Sequence, residues 1–346
     1  MILIAYGTRP EIIKLFPVIH ELSARHIPYK TVFTGQQTDL YEQMRELIPP
    51  PDFSFAESFA GGKKHNTLGM SFIKISQAAE RLFTHHAFDL VMVQGDTTTA
   101  WALAQMAFYH DLKVAHVEAG LRTFDPDNPF PEEMNRTLID QVAAFNFAPT
   151  RQAVRNLNKI NAKNIHWTGN TIVDAVDYFK SRLALKTGMS NNVLVTLHRR
   201  ENHPIMGQLF DELQNIAVQN PEWELIMPIH PNPNVSKHRF RLQAENIHVV
   251  SPMTYPDMLQ LMSQVFFMIS DSGGIQEEAA CFNKKVIIVR KTTERPEVVK
   301  MGLGRLSGRE IKKYIHWAQI PPGPAKTMPY GEGDAAKKIV RVLYGS

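Results

Sequence analysis

Phe266-Phe267-Met268-Ile269-Ser270 runs without interruption into Asp271-Ser272-Gly273-Gly274-Ile275-Gln276-Glu277-Glu278. An apolar run of this length that stops at a polar, glycine-bearing turn and resumes as a helix reads as a buried parallel strand, with the turn at one edge of its sheet. The same pattern recurs throughout the chain. In the first half, 2–6 precedes Gly7-Thr8-Arg9-Pro10-Glu11, 90–94 precedes Gly95-Asp96-Thr97, and 114–117 precedes Glu118-Ala119-Gly120. In the second, 193–197 precedes His198-Arg199-Arg200 and 225–229 precedes His230. Ligands of open α/β sheets bind outside the carboxyl ends of the strands. The expected fold is therefore α/β, with two doubly wound sheets aiming functional groups into one cleft, the outline of an enzyme.

With 346 residues, 44% hydrophobic and 21% charged, the chain can bury the cores of two domains. No apolar stretch approaches the roughly 20 residues that span a bilayer. No basic flank or small-residue cleavage site accompanies the first strand at Ile2. A soluble, cytoplasmic protein with no membrane partner is expected. Cys281 is the one cysteine, which leaves no internal disulfide or all-cysteine metal site, and its neighbours Ala280 and Phe282 mark it as a core thiol. The net charge of +4 comes from scattered basic residues, several of them in the strand-end clusters. A small phosphate-bearing ligand accounts for them, and nucleic acid is not an expected partner. None of the 14 histidines falls in a metal-ligand pattern, so no metal is expected.

Strand–helix alternation over 2–167 describes a first domain with helices at 10–25, 71–85, 98–110 and 132–142. Pro10 suits a first helical turn, where its missing N–H is no loss. The segment 49–66, with Pro49-Pro50-Pro51 and Gly61-Gly62, has no period and reads as a loop able to close over a ligand. Gly169-Asn170-Thr171 marks the crossing, giving expected domains of 1–168 and 169–333. The second rhythm runs from Val193 to Gln319 and is broken by Ile320-Pro321-Pro322-Gly323-Pro324. An amphipathic helix over 334–346 is expected to join the first domain.

At Ser272, Gly273 and Gly274 the backbone N–H groups and the helix dipole suit a diphosphate; the alternative is a tight turn with a capping Ser or Asp. No Gly-Lys-Ser/Thr follows, so this is not a Walker loop. The GxG at Gly302 and Gly304 reads as a loop rather than a dinucleotide fingerprint. Glu278, about one turn into the helix, could reach the hydroxyls of a ribose, and reads equally well locally as a solvated helix-start carboxylate. Arg290, Lys291 and Arg295 add positive charge at the same edge. The first domain supplies carboxylates instead: Asp96, Glu118 and Glu132 stand near strand ends or a helix start, where each alone reads as an N-cap or a salt-bridge partner and the three together, facing a basic wall, as a catalytic set. Carboxylates close together in a partly dry site have separated pKa values, so that one takes a proton while another gives one. His198 and His230 are candidate phosphate donors or acids, and Arg9 and Lys14 candidate anion partners.

These motifs resemble the non-hydrolysing UDP-N-acetylglucosamine 2-epimerases. The residues that carry the resemblance are Gly7-Thr8-Arg9-Pro10-Glu11 with Lys14, Gly95 through Thr99, His116 through Thr123, and Pro131-Glu132-Glu133 with Asn135-Arg136. Further on they are Thr168-Gly169-Asn170, His198 through Asn202, Asp271 through Glu278, and Thr293 through Glu297. The resemblance implies two Rossmann-like domains in a GT-B arrangement, a UDP-sugar substrate, no cofactor, a homodimer, and a place in polysaccharide biosynthesis. It implies epimerisation at C2, most simply of UDP-GlcNAc to UDP-ManNAc, through loss of UDP to a 2-acetamidoglucal and its re-addition. By position, Asp96, Glu118, Glu132 and His198 become the catalytic set. Arg9, Lys14, Arg136, His230, Ser272, Gly273, Gly274, Glu278 and Arg295 become the UDP-sugar ligands.

The chain departs from the family pattern at Gln36-Gln37-Thr38, where many bacterial members have Gln-His-Arg and bind a second, activating UDP-sugar. It departs again at Lys291, in place of an acidic residue, and at His203-Pro204, in place of a glycine-containing turn. Alternatives are a 2-epimerase of a diacetamido-uronic acid or 6-deoxy amino sugar, a hydrolysing 2-epimerase, a GT-B glycosyltransferase, and a non-catalytic UDP-sugar sensor.

Overall fold

The computed structural model describes residues 1–35, 44, 46–59, 67–324 and 328–345; Gln36-Gln37-Thr38 and Gly61-Gly62 lie outside the described residues. The chain separates into two compact units, Met1–Ala175 with Pro329–Ser346, and Val176–Met328.

In the first unit the strands are β1 (Ile2–Tyr6), β2 (Tyr29–Phe33), β3 (Phe53–Ser54), β4 (Leu90–Gln94), β5 (Lys113–Val117), β6 (Phe145–Ala148) and β7 (Ile165–Trp167). They form a parallel sheet in the order β3-β2-β1-β4-β5-β6-β7. Every residue of β1 and β4 is buried. Strands covered on both faces need continuous apolar sequence rather than alternation, which is why these runs are so legible. The sheet grows from β1 in one direction through β2 and in the other through β4. The turns after β1 and β4 therefore flank the switch point, where α/β sheets open a crevice.

Helices cover both faces. Helix Arg9–Ala24 starts with Thr8 in a capping box with Glu11 and carries Pro10 at its first turn. Helix Leu68–His85 and helix Thr98–Tyr109 pack together, with Phe72 stacked on Trp101. The C-terminal helix Ala335–Tyr344 packs on helix Arg9–Ala24. Its first N–H groups, from Ala335 and Ala336, donate to the Asp174 carboxylate at 3.3 and 2.9 Å. Burial pushes that carboxyl up to about 6 against those bonds.

The second unit repeats the plan. Its strands β8 (Asn192–Thr196), β9 (Glu224–Pro228), β10 (Ile247–Val250), β11 (Phe267–Ser270), β12 (Val286–Ile288) and β13 (Gly304–Leu306) are parallel in the order β10-β9-β8-β11-β12-β13. Here the switch point lies between β8 and β11, beneath His198 and Asp271. Gly304 corrects the loop reading of the GxG: it opens β13. A Cβ there would lie 3.0 Å from both Ile288 and Val298, so the glycine serves close packing at the sheet edge.

Candidate active site

At the switch point of the first unit two carboxylates face two cations. Glu118 follows β5 directly, is buried, and holds φ +68, a left-handed conformation that a non-glycine residue seldom takes. Lys14, one turn into helix Arg9–Ala24 and likewise buried, forms an ion pair with Glu118 Oε2. Asn170 Nδ2 reaches the same oxygen at 3.4 Å. Asp96, in the turn after β4, pairs through Oδ2 with the guanidinium of the fully buried Arg136, while Asn135 Nδ2 donates to its carbonyl at 2.9 Å. Gly95 adjoins Asp96 in the chain, and beyond its chain neighbours a Cβ on it would have only Glu118 Oε1 within 4 Å, at 4.0 Å.

Helix Glu132–Val142 separates its adjacent glutamates. Glu133 turns inward and receives Arg122 Nε at 2.7 Å, Thr123 N at 3.0 Å and Phe124 N at 2.9 Å, which ties down the preceding segment. Glu132 is half-buried at the first helical position, on the helix that also supplies Arg136. Arg9 occupies the first position of its own helix, half-buried at the carboxyl edge of β1.

Glu11 closes the Gly7-Thr8-Arg9-Pro10-Glu11 motif with no local signal that sets it apart from an ordinary helix-start glutamate. It is completely buried and accepts from Gly7 N at 2.9 Å, Thr8 N at 2.7 Å, Thr8 Oγ1 at 2.8 Å and Thr97 Oγ1 at 2.6 Å. One carboxyl thus joins the turns after β1 and β4. Burial pushes it up to about 7, against the pull of those four donors. Nor does a local signal set Asn170 apart. Its backbone N–H donates to Tyr330 O at 2.6 Å while its Oδ1 receives Ile172 N at 3.0 Å, and these bonds hold its amide toward Glu118.

In the second unit Asp271 is the hub. Fully buried, it accepts from His198 N at 3.0 Å, Arg199 N at 2.9 Å and Asn202 Nδ2 at 3.0 Å, and His198 Nδ1 lies 3.6 Å away. The His198 and His230 rings stack with centroids 5.4 Å apart. Asn232 N donates to His230 Nδ1 at 3.1 Å, which leaves the proton of a neutral ring on Nε2. Helix Gly273–Cys281 begins at Ser272 without a side-chain cap, so neither Ser272 nor Asp271 plays the capping role of the tight-turn alternative. Ser272 N already donates to Ser270 Oγ at 3.0 Å, so the anion-binding character of this turn rests on the N–H groups of the helix start at Gly273 and Gly274. Glu278 is buried on the second turn.

Arg295 covers the helix start: a Cβ on Gly273 would lie 2.6 Å from its Nη1. Its charge runs into a buried network, with Nε donating to Glu277 Oε1 at 2.6 Å and Nη1 paired with Glu294. Arg290 joins that network through Glu294 at 2.9 Å and Glu201 at 3.1 Å. Lys291, by contrast, is exposed, and His203-Pro204 lies in the 3-10 turn Arg200–Ile205. No group of His, Cys, Asp and Glu suited to a metal ion occurs among the described residues. No described helix is long and apolar enough to cross a membrane.

Two Rossmann-like parallel sheets, one carrying carboxylate–cation pairs at its strand ends and the other a glycine helix start without a side-chain cap, place the chain among the doubly wound α/β proteins. The sequence profile described as UDP-N-acetylglucosamine 2-epimerase matches residues 20–344. A UDP-N-acetylglucosamine 2-epimerase of Campylobacter jejuni is 36% identical over 99% of this chain and 97% of its own. The crystal structure of the Neisseria meningitidis UDP-GlcNAc 2-epimerase bound to UDP-GlcNAc superposes with a TM-score of 0.91 at 32% identity, covering 100% of both chains. That of Methanocaldococcus jannaschii, in complex with UDP-GlcNAc and UDP, gives 0.84 at 32% identity over 100% of this chain and 99% of its own. The chain belongs to the UDP-N-acetylglucosamine 2-epimerase family, as its motifs had indicated.

Proposed function

We propose that this protein inverts C2 of UDP-N-acetylglucosamine to give UDP-N-acetylmannosamine by elimination and re-addition of UDP. Support for the substrate comes from the relatives, two of whose structures hold UDP-GlcNAc. The observation that carries the mechanism is the pairing of Asp96 with Arg136 and of Glu118 with Lys14 beside Gly95.

C2–H is not acidic in the ground state. As the C1–O bond breaks, its electron pair leaves with UDP, positive charge builds at C1, and the C2 proton becomes removable by a carboxylate. The C1=C2 double bond of the 2-acetamidoglucal results. A second carboxylate protonates C2 from the opposite face while the diphosphate oxygen returns to C1. The cycle is redox-neutral and consumes no hydride acceptor. Asp96, Glu118 and Glu132 share the proton transfers and the charge at C1. Ser272, Gly273 and Gly274 hold the diphosphate, Glu278 the ribose, and His198 and His230 the phosphates and leaving oxygen, with Arg9, Lys14, Arg136 and Arg295 as further partners of the UDP-sugar.

A cytoplasmic homodimer supplying amino sugar for polysaccharide synthesis completes the proposal. The dimer is supported by Met70, Ile73 and Phe108, large apolar residues exposed on the two packed helices Leu68–His85 and Thr98–Tyr109. Light scattering that returns a monomer mass would remove that part. The reaction is tested in D2O with UDP-GlcNAc, without acceptor or NAD, by proton NMR. Deuterium at C2 with UDP-ManNAc is expected. Free N-acetylmannosamine would indicate hydrolysis. No exchange with UDP-GlcNAc, but exchange with a diacetamido or 6-deoxy sugar, would move the substrate, and turnover only with an acceptor would replace epimerisation by glycosyl transfer.

A further inference from the structure

Behind the Asp96 turn lies a buried group to which the proposed chemistry assigns no role. His116, on β5, is fully buried. Its Nε2 lies 2.7 Å from the carbonyl oxygen of Gly95 and its Nδ1 lies 2.7 Å from Asp140 Oδ1. A carbonyl oxygen only accepts, so Nε2 bears a proton. A bare Nδ1 cannot face a bare carboxylate at that distance, because two lone pairs would oppose each other. One proton is therefore shared between Nδ1 and Asp140, and wherever it sits the pair is neutral and presents Nε2–H to Gly95.

Gly95 is the joint that this bond controls. Its φ is +68 and its N–H donates to Val117 O at 3.0 Å, while its carbonyl is taken by His116. Glycine visits either sign of φ with little preference, so the peptide between 95 and 96 has no intrinsic reason to stay as it is. A flip would carry the Cα–Cβ direction of Asp96 with it. Asp140 stands on the same helix as Arg136, the partner of Asp96, so one rigid element backs both the histidine and the carboxylate.

We propose that His116, backed by Asp140, is a positioning residue that locks the 95–96 peptide and thereby aims the Asp96 carboxylate. This rests on the reading of Asp96 as a catalytic residue. The test compares His116→Phe, which fills the space without a donor, with His116→Gln, whose amide N–H can still reach the carbonyl, and with Asp96→Asn. His116→Phe is expected to lower kcat about a hundredfold, the scale of a roughly 1 Å misplacement, with KM and the Kd for UDP within about threefold. His116→Gln should recover about tenfold of that loss. Retention of kcat within about threefold in His116→Phe overturns the proposal, as does a parallel loss of kcat and UDP affinity, the mark of a loosened fold. If His116→Phe does not fold, the wild-type protein decides: a solvent-protected histidine Nε2–H hydrogen-bonded to the Gly95 carbonyl must be seen by NMR, and its absence overturns the proposal. Asp96→Asn separates the two claims. If it is inactive while His116→Phe is active, only the positioning role falls; if it is active, the reading of Asp96 falls and the positioning role with it.

Discussion

Gly95, Glu118 and Gly120 all take left-handed backbone, at φ +68, +68 and +82, yet their tolerance of change differs. A Cβ on Gly120 would press to 2.6 Å from Ala153 O, against backbone that cannot yield, whereas one on Gly95 would meet Glu118 Oε1 alone, at 4.0 Å. Gly95→Ala should therefore fold with a loss of about 1 kcal/mol and lose turnover at least tenfold while binding UDP normally. Gly120→Ala should lose about 3 kcal/mol or more of stability. Denaturant unfolding together with UDP calorimetry distinguishes the two, and a Gly95→Ala of full activity would argue against substrate passing that face. Asp96→Asn should abolish turnover and leave UDP affinity within about tenfold; loss of UDP binding would make Asp96 structural.

Glu11 supplies a pH dependence. Its carboxyl is raised from 4.5 to about 7, so the folded state holds a proton that the unfolded state releases. The stability it contributes is complete below about 4.5 and is lost as pH rises toward 7 and beyond, by up to about 3 kcal/mol. Asp174, raised to about 6, acts in the same direction over a lower window. Glu11→Gln should flatten the fall in melting temperature between about pH 5 and about pH 8; an unaltered slope would place the titration elsewhere.

Among the elements, the helix from Gly273 to Cys281 makes the sharpest claim. Its start has no side-chain cap and is closed on one side by Arg295, so Gly273→Ala would force that guanidinium away from Glu277 and Glu294. UDP affinity should fall by about tenfold or more, with activity lost through KM, and unchanged calorimetric binding would refute the diphosphate reading of this turn. The elements themselves show what a sequence displays. Helices Thr98–Tyr109 and Glu132–Val142 stand within a residue of the ranges read from their periodicity, and β1, β4, β5, β8 and β11 follow from continuous apolar runs. Strands β3, β7, β10 and β13 are short and lie at or toward the sheet edges, only partly covered, so burial leaves little pattern in them.

At the level of the entire chain, the six-stranded second sheet repeats the order of the first six strands of the seven-stranded first sheet, with a reversal beside β1 in the first and beside β8 in the second. Ligand binding should register at those reversals. Hydrogen exchange with UDP alone is expected to show protection over 198–202 and 272–278, with the turn at 95–97 slowed only when the sugar is present. Equal protection of 95–97 by UDP alone would move the diphosphate toward the first unit.

Sequence alone carried the α/β class, the main strand ends and the family, because buried parallel strands need unbroken apolar runs and tight strand-to-helix turns favour glycine. It also marked Asp96 and Glu118 at those ends and Lys14 one turn beyond, while Arg136 came only from the family resemblance. It could not show which of them would pair. The ties from Lys14 to Glu118, Arg136 to Asp96, Glu11 to Thr97 and His116 to Asp140 and Gly95 each join residues far apart in the chain. Hydrogen bonding is local in space and leaves no periodic signature, so these contacts exist only once strand order has set the turns side by side.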